Sequence, residues 1–138
     1  LREKLEGLLR PGKFSVKPGY VFRKSRPAVV GVDVLGGILV SDTPVMKKNG
    51  EQIGVVKEIQ SEQETKDKAK SGDEVAFSIE GPTVGRQIKE GDVLYTDIPA
   101  KDIIKLKELM EMLTDDEKAV MEEIISIKQK NNPTYGVM

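Results

Sequence analysis

The sequence has no cysteine, histidine or tryptophan, and its aromatic residues are three Phe and three Tyr. Without Cys there is no disulfide framework and no thiolate ligand, and without His the usual zinc-ligand set is incomplete, so no metal site is expected. The same absences remove the commonest general base and the strongest side-chain nucleophile, so a Ser-His-Asp or Cys-His arrangement cannot be assembled and the chain is not expected to be an enzyme. No GxxxxGK[ST] loop is present to cradle a nucleotide phosphate. No apolar run approaches the roughly 20 residues that span a bilayer, and the opening LREKLEGLLRPG lacks the apolar stretch of a signal peptide, so a cytoplasmic protein with no membrane partner is expected. An excess of positive charge is missing too. Lys and Arg number 22 against 23 Asp and Glu, so any contact with RNA must be local rather than driven by a global basic field.

What is there fits one ordinary domain: 138 residues, 38% hydrophobic and 33% charged, enough for one core. The chain begins at Leu1 rather than Met and is expected to be a piece of a longer protein. Leu1, Leu5, Leu8 and Leu9 recur at helical spacing up to Pro11-Gly12. Residues 1–10 therefore read either as a terminal turn packed on the fold, which the spacing alone favours, or as the end of a helix arriving from a preceding domain. From Ala28 to Gln60 the pattern is a β-meander. Val30, Val32 and Val34 share one strand face, and Ile53, Val55 and Ile59 share another. Gly36-Gly37 and Asn49-Gly50 supply the positive φ angles of tight reversals between strands. Phe14 to Val16 and Tyr20 to Phe22 are short strand-like pieces on either side of Pro18-Gly19, and Ser61 to Ser71 reads as an exposed charged loop. Gly72-Asp73 and Gly91-Asp92 each introduce a further strand. Many short strands with Gly- and Pro-rich turns predict a mainly β fold over residues 11–98, a small closed antiparallel barrel with an open sandwich as the alternative.

At Pro99 the period changes. Ile103, Leu106, Met110 and Leu113 form a helical stripe, and Thr114-Asp-Asp-Glu117 is a capping box opening a second helix with Val120, Met121, Ile124, Ile125 and Lys128 on one face. Pro133 stops it, so residues 99–138 are expected to be a helical pair and tail. Removal from Asp102 onward is expected to leave a folded barrel. Arg23, Lys24 and Arg26 cluster beside Tyr20 and Phe22 as a candidate phosphate-contacting lip, against the alternative of a solvated loop.

The wording PGYVFRKSRPAVVGVDVLGG, PVMKKNGEQIGVVKEIQ, GDEVAFSIEGPTVGRQIKEGDVLY and the ending NNPTYG together resemble the C-terminal domain (domain IV) of archaeal translation initiation factor 5B, a relative of bacterial initiation factor 2. The resemblance covers nearly the whole chain. It implies a barrel of the elongation factor Tu domain II type followed by two helices, and makes residues 1–10 the end of the helix connecting this domain to the rest of the factor. It implies a ribosome-dependent GTPase parent whose GTP and Mg²⁺ belong to a domain outside this chain, leaving no cofactor here. Its implied partners are initiator methionyl-tRNA, the ribosome and initiation factor 1A, with the chain itself a monomer.

In the bacterial relative a Gly-x-Glu-Cys-Gly segment contributes to the site for the formylated methionine and acceptor end. Here Gly72, Asp73, Glu74, Val75 and Ala76 stand in its place: Glu74 survives, while Val75 and Ala76 replace Cys and Gly, which fits an unformylated methionine better. Asp42 stands where relatives commonly carry Gly, and Asp tolerates the left-handed conformation. The acceptor-end candidates are Arg23, Lys24, Arg26, Glu74, Val75, Ala76 and Arg86. In the alternative function, protein docking, the helices receive the tail of initiation factor 1A. Lys101, Lys105 and Lys107 would border a groove containing Ile104, Leu109, Met112 and Ile127; the plainer reading is that the helices merely cover one barrel end. An independent hydrolase finds no support in scattered carboxylates.

Overall fold

Alternation of apolar residues through short segments does produce a barrel. The computed structural model describes residues 9–61, 64–66, 68–86 and 88–135, so most of the expected connecting helix at residues 1–10 lies outside the described residues. Eight strands come first: β1 (Gly12–Arg23), β2 (Ala28–Val40), β3 (Thr43–Lys47), β4 (Gln52–Ser61), β5 (Glu64–Lys66), β6 (Lys68–Lys70), β7 (Glu74–Glu80) and β8 (Val93–Thr96). Six of them run in the order β1-β8-β3-β4-β7-β2, and β1 pairs with β2 to close the ring. Every pairing between strands is antiparallel. Closure leaves the ring no free edge.

The barrel interior is filled from every wall. Phe14, Val16, Val30, Val32, Leu39, Val45, Val56, Ile59, Phe77, Ile79 and Leu94 are buried there, with Phe14 and Phe77 edge to face at 5.7 Å between ring centroids. The expected inward set on β4 needs correcting. Val55 is only half-buried, and Val56 takes the inward place between Ile53 and Ile59. Two irregularities explain this: Ile53 is an extra residue against Val45 and Met46, and Lys57 is extra against Ile79 and Ser78. Each bulge adds one residue and flips the face that follows.

The Gly36-Gly37 pair is likewise not a hairpin. β2 runs through it, and the reversal falls at Ser41-Asp42, where Asp42 has φ 59°. Leu35 is an extra residue opposite Lys13 and Phe14, so a bulge stands immediately before the pair, which itself stays paired with β1 and has Gly37 at φ 71°. The bend hands the end of β2 to a different partner, β6. Asn49-Gly50 does make its turn, with Gly50 at φ 88°. The charged segment Ser61 to Ser71, expected to be a loop, instead carries β5 and β6, which extend the ends of β4 and β2.

After β8 come α1 (Ala100–Glu108), a 3₁₀ turn (Met110–Met112) and α2 (Asp115–Asn131). The first helix was expected to reach Leu113; its α geometry stops at Glu108, and the tighter 3₁₀ turn brings the chain round to Thr114. The capping box is present: Thr114 Oγ1 accepts from the Glu117 amide at 3.1 Å, and the Thr114 amide donates to Glu117 Oε1 at 3.2 Å. The helices lie not over a barrel end but along its side. Met46, Tyr95 and Ile98 from the outer surface join Ile103, Leu106, Val120, Met121 and Ile124 in a second core.

Several ties fasten this layer, among them Lys13 of β1 to Glu123 of α2 at 3.0 Å. Arg10 donates from Nε and a terminal nitrogen to both carboxylate oxygens of Glu117, each at 2.6 Å, although Glu117 is fully buried. At the other end Tyr135, also buried, donates to the Ile98 carbonyl at 2.6 Å, while Lys128 pairs with Asp97. Burial pushes the Tyr135 hydroxyl well above the ordinary tyrosine range, with the charges of Asp97 and Asp102 adding to the shift.

Candidate functional site

The helices cover the outside of β1, β8 and β3 and the Gly36 end of β2, where an added Cβ would stand 2.8 Å from Val120 of α2. Across the ring, the outer surface of the first half of β2, with β7 and β4, is left bare and is floored by small or short residues. Antiparallel pairing sets Gly31 beside Ala76, Val29 beside Ser78, and Gln60 beside Ala76. Three adjoining clefts run over this floor. One of about 430 Å³ lies among Lys17, Tyr20, Phe22, Gly31, Glu74 and Ala76. A second, about 320 Å³, shares Val29, Gln60 and Ala76 with it. The third, about 650 Å³, shares Pro27 and Glu80 with the second and is lined by Arg26, Thr83 and Arg86. The shared walls make them one trough.

At the first end the second half of β1 lifts away from its early register at Pro18-Gly19 and rejoins β2 at Val21. That places Tyr20 over Gly31, where an added Cβ would stand 2.8 Å from the Tyr20 Cβ. Tyr20 and Phe22 are 48% and 64% exposed and meet edge to face at 6.4 Å. Large aromatics left in water beside a cleft mark a binding surface rather than a core. Lys17 reaches beneath them. Its ammonium is 4.6 Å from the Tyr20 ring centroid, 3.3 Å from Glu74 and 3.9 Å from Asp33. Burial works against the Lys17 charge, but the hydrogen bond and charge of Glu74, with Asp33, outweigh it and hold the ammonium above the ordinary lysine range.

At the far end, the Lys24 carbonyl accepts from the Val84 amide at 2.8 Å, drawing the β1–β2 loop against the Pro82 to Arg86 loop. Arg26, at φ 60°, and Arg86 line the same cleft. Among the described residues no carboxylate lies within ion-pair distance of Lys24, Arg26 or Arg86. Arg23 donates to the Ser25 carbonyl at 2.9 Å and stays exposed. The acceptor-end candidates thus divide: Glu74 and Ala76 gather with Tyr20 and Phe22, Val75, between the first two, turns into the barrel core and contributes only at the cleft floor, and Arg26 and Arg86 lie at the opposite end. Lys17 and Asp33 were not singled out in the sequence. Their signal was weak, since each is one charge in an alternating strand and only the β1–β2–β7 pairing assembles them.

On the helices, Lys101 and Lys105 are exposed, and Ile104, Lys107, Leu109 and Met112 are half-buried. Ile127 is buried in the second core and offers no surface, because it sits against the β3–β4 turn, 3.5 Å from where a Gly50 Cβ would lie. Among the described residues no three acidic side chains group so as to hold a metal ion.

Residues 10–95 match the family described as Elongation factor Tu domain 4. The chain is 51% identical over 138 residues to a probable translation initiation factor IF-2 of Sulfurisphaera tokodaii, and 47% identical over 137 residues to that of Methanopyrus kandleri. Each match takes in 99% of this chain and 23% of the relative, so the chain spans about a quarter of the length of these curated relatives. In structure it is similar to GDP-bound aIF5B from Aeropyrum pernix, with a TM-score of 0.91 and 42% identity over 94% of this chain and 22% of that one. The chain belongs to the Elongation factor Tu domain 4 family, in the form carried by the archaeal translation initiation factors IF-2 and aIF5B.

Proposed function

We propose that the bare wall of this barrel binds the methionylated acceptor end of initiator tRNA, without catalysing a reaction, and that the chain serves as a monomeric domain of a ribosome-dependent GTPase promoting subunit joining. One observation carries the reading: exposed Tyr20 and Phe22 stand beside Glu74, Val75 and Ala76 over a floor of small residues. Aromatic faces stack on bases or hold a thioether, and a shallow floor admits the backbone of a single strand. GTP chemistry belongs to another domain of the parent factor. The test is titration of the chain with methionylated and uncharged initiator tRNA. Preference for the charged form is expected, and equal affinity would move the aminoacyl site elsewhere.

The helices support a second, compatible reading. Leu109 and Met112 remain half-exposed at the 3₁₀ turn, with Lys101 and Lys105 on α1 before it, and so offer an apolar and basic surface to the tail of initiation factor 1A. Leu109→Glu with Met112→Glu should abolish that binding in an NMR titration while leaving tRNA binding unchanged.

A further inference from the structure

The trough is electrically lopsided. Its aromatic end holds Asp33 and Glu74 against one ammonium, Lys17. Its other end holds Arg26, Arg86 and nearby Lys24 against one carboxylate, Glu80. The two ends are separated by the length of β7, six residue steps from Glu74 to Glu80, or about 20 Å at ~3.4 Å per step. That is long enough for an aminoacyl ester and the nucleotides that carry it. We propose that the wall reads its ligand in one direction: the free α-ammonium of the esterified methionine sits at Asp33 and Glu74, and a backbone phosphate of the acceptor strand sits at Arg26 and Arg86. This rests on the function proposed above and adds to it the polarity of binding and the group that is recognised.

The opposite orientation would press phosphates against Asp33 and Glu74 and leave Lys24, Arg26 and Arg86, which have no ion-pair partner among the described residues, without a phosphate. Like charges at such distances repel, and the cost rises as water is excluded. In the favoured orientation the methionine side chain meets Tyr20 and Phe22, where sulfur–ring contact is favourable. The Glu74 carboxylate has spare capacity for a second donor, because it is 70% exposed and Lys17 contacts one of its oxygens. A blocked amine, such as an N-acyl group, carries no charge to satisfy it. The wall therefore selects the unblocked amino acid.

Three probes separate the parts: methionyl, N-acetylmethionyl and uncharged initiator tRNA, each titrated against the chain over a range of salt. Wild type should prefer the free amine over the acetylated form by about threefold or more, as expected of a partly exposed charge pair. Glu74→Gln with Asp33→Asn should bring that ratio close to one and leave uncharged tRNA unaffected. Arg26→Gln with Arg86→Gln should weaken all three ligands alike and flatten the salt dependence, by about 0.7 in log–log slope for each phosphate that is no longer neutralised. An unchanged amine ratio in the first variant, or unchanged affinity and salt slope in the second, overturns the polarity. Failure of wild type to distinguish charged from uncharged tRNA overturns the underlying function instead.

Discussion

Glu117 is fully buried and holds three partners at once: the Thr114 amide, the Thr114 hydroxyl and the Arg10 guanidinium. A buried charge is stable only with such company, and removing one member strands the other. Arg10→Met should therefore cost about 3–5 kcal/mol in denaturant melts, whereas Arg10→Met combined with Glu117→Leu should recover much of that loss. Asp42 is a milder case. Its φ of 59° strains an ordinary side chain, and its pairing with Lys57 at 3.7 Å is exposed. Asp42→Gly should be neutral or slightly stabilising, and Asp42→Val should cost about 1–2 kcal/mol by the same melts. Tyr135 gives a pH signature. An unfolded tyrosine loses its proton near pH 10, about the ordinary value, while the folded protein keeps that proton well beyond it. Stability is then level below about pH 10 and declines above it, at up to ~1.4 kcal/mol per pH unit for this group. Tyr135→Phe should reduce that alkaline slope, measured by urea melts at successive pH values.

At the scale of elements, Thr114→Ala should cost α2 about 1 kcal/mol, since the Glu117 amide loses its acceptor. The capping box was legible because it is local: four adjacent residues contain the whole device. Asn49-Gly50 was legible for the same reason. Gly36-Gly37 was not, because a glycine pair serves a hairpin and a continuous strand beside a bulge equally, and pairing with β1 on one side and β6 further along decides between them. β5 and β6 hid behind charge. They are held by backbone bonding at the ends of longer strands, with Ala69 of β6 tucked into the barrel core among its charged neighbours in sequence. The candidate site was legible in halves: Glu74 to Ala76 by resemblance and the basic cluster by composition, while the convergence of Tyr20 with residues more than fifty positions later depends on the β1–β2–β7 register.

At the scale of the molecule the barrel has a covered side and an open side. The covered side bears on the expectation that removal from Asp102 onward leaves a folded barrel, since Met46, Tyr95 and Ile98 would lose their cover. Deletion from Asp102 onward should give a chain that binds a hydrophobic dye and melts with poor cooperativity by circular dichroism; a sharp transition near that of the full chain would show that the barrel stands alone. The Arg10–Glu117 tie also has a mechanical meaning. Pro11 passes directly into β1, so a pull on the chain upstream of Arg10 meets the ion pair and the first turn of α2 before it meets a barrel strand. Under load, the first thing to yield would be the seam between the helical layer and the entering chain, and the barrel wall carrying Tyr20 and Glu74 would keep its shape until that seam had opened.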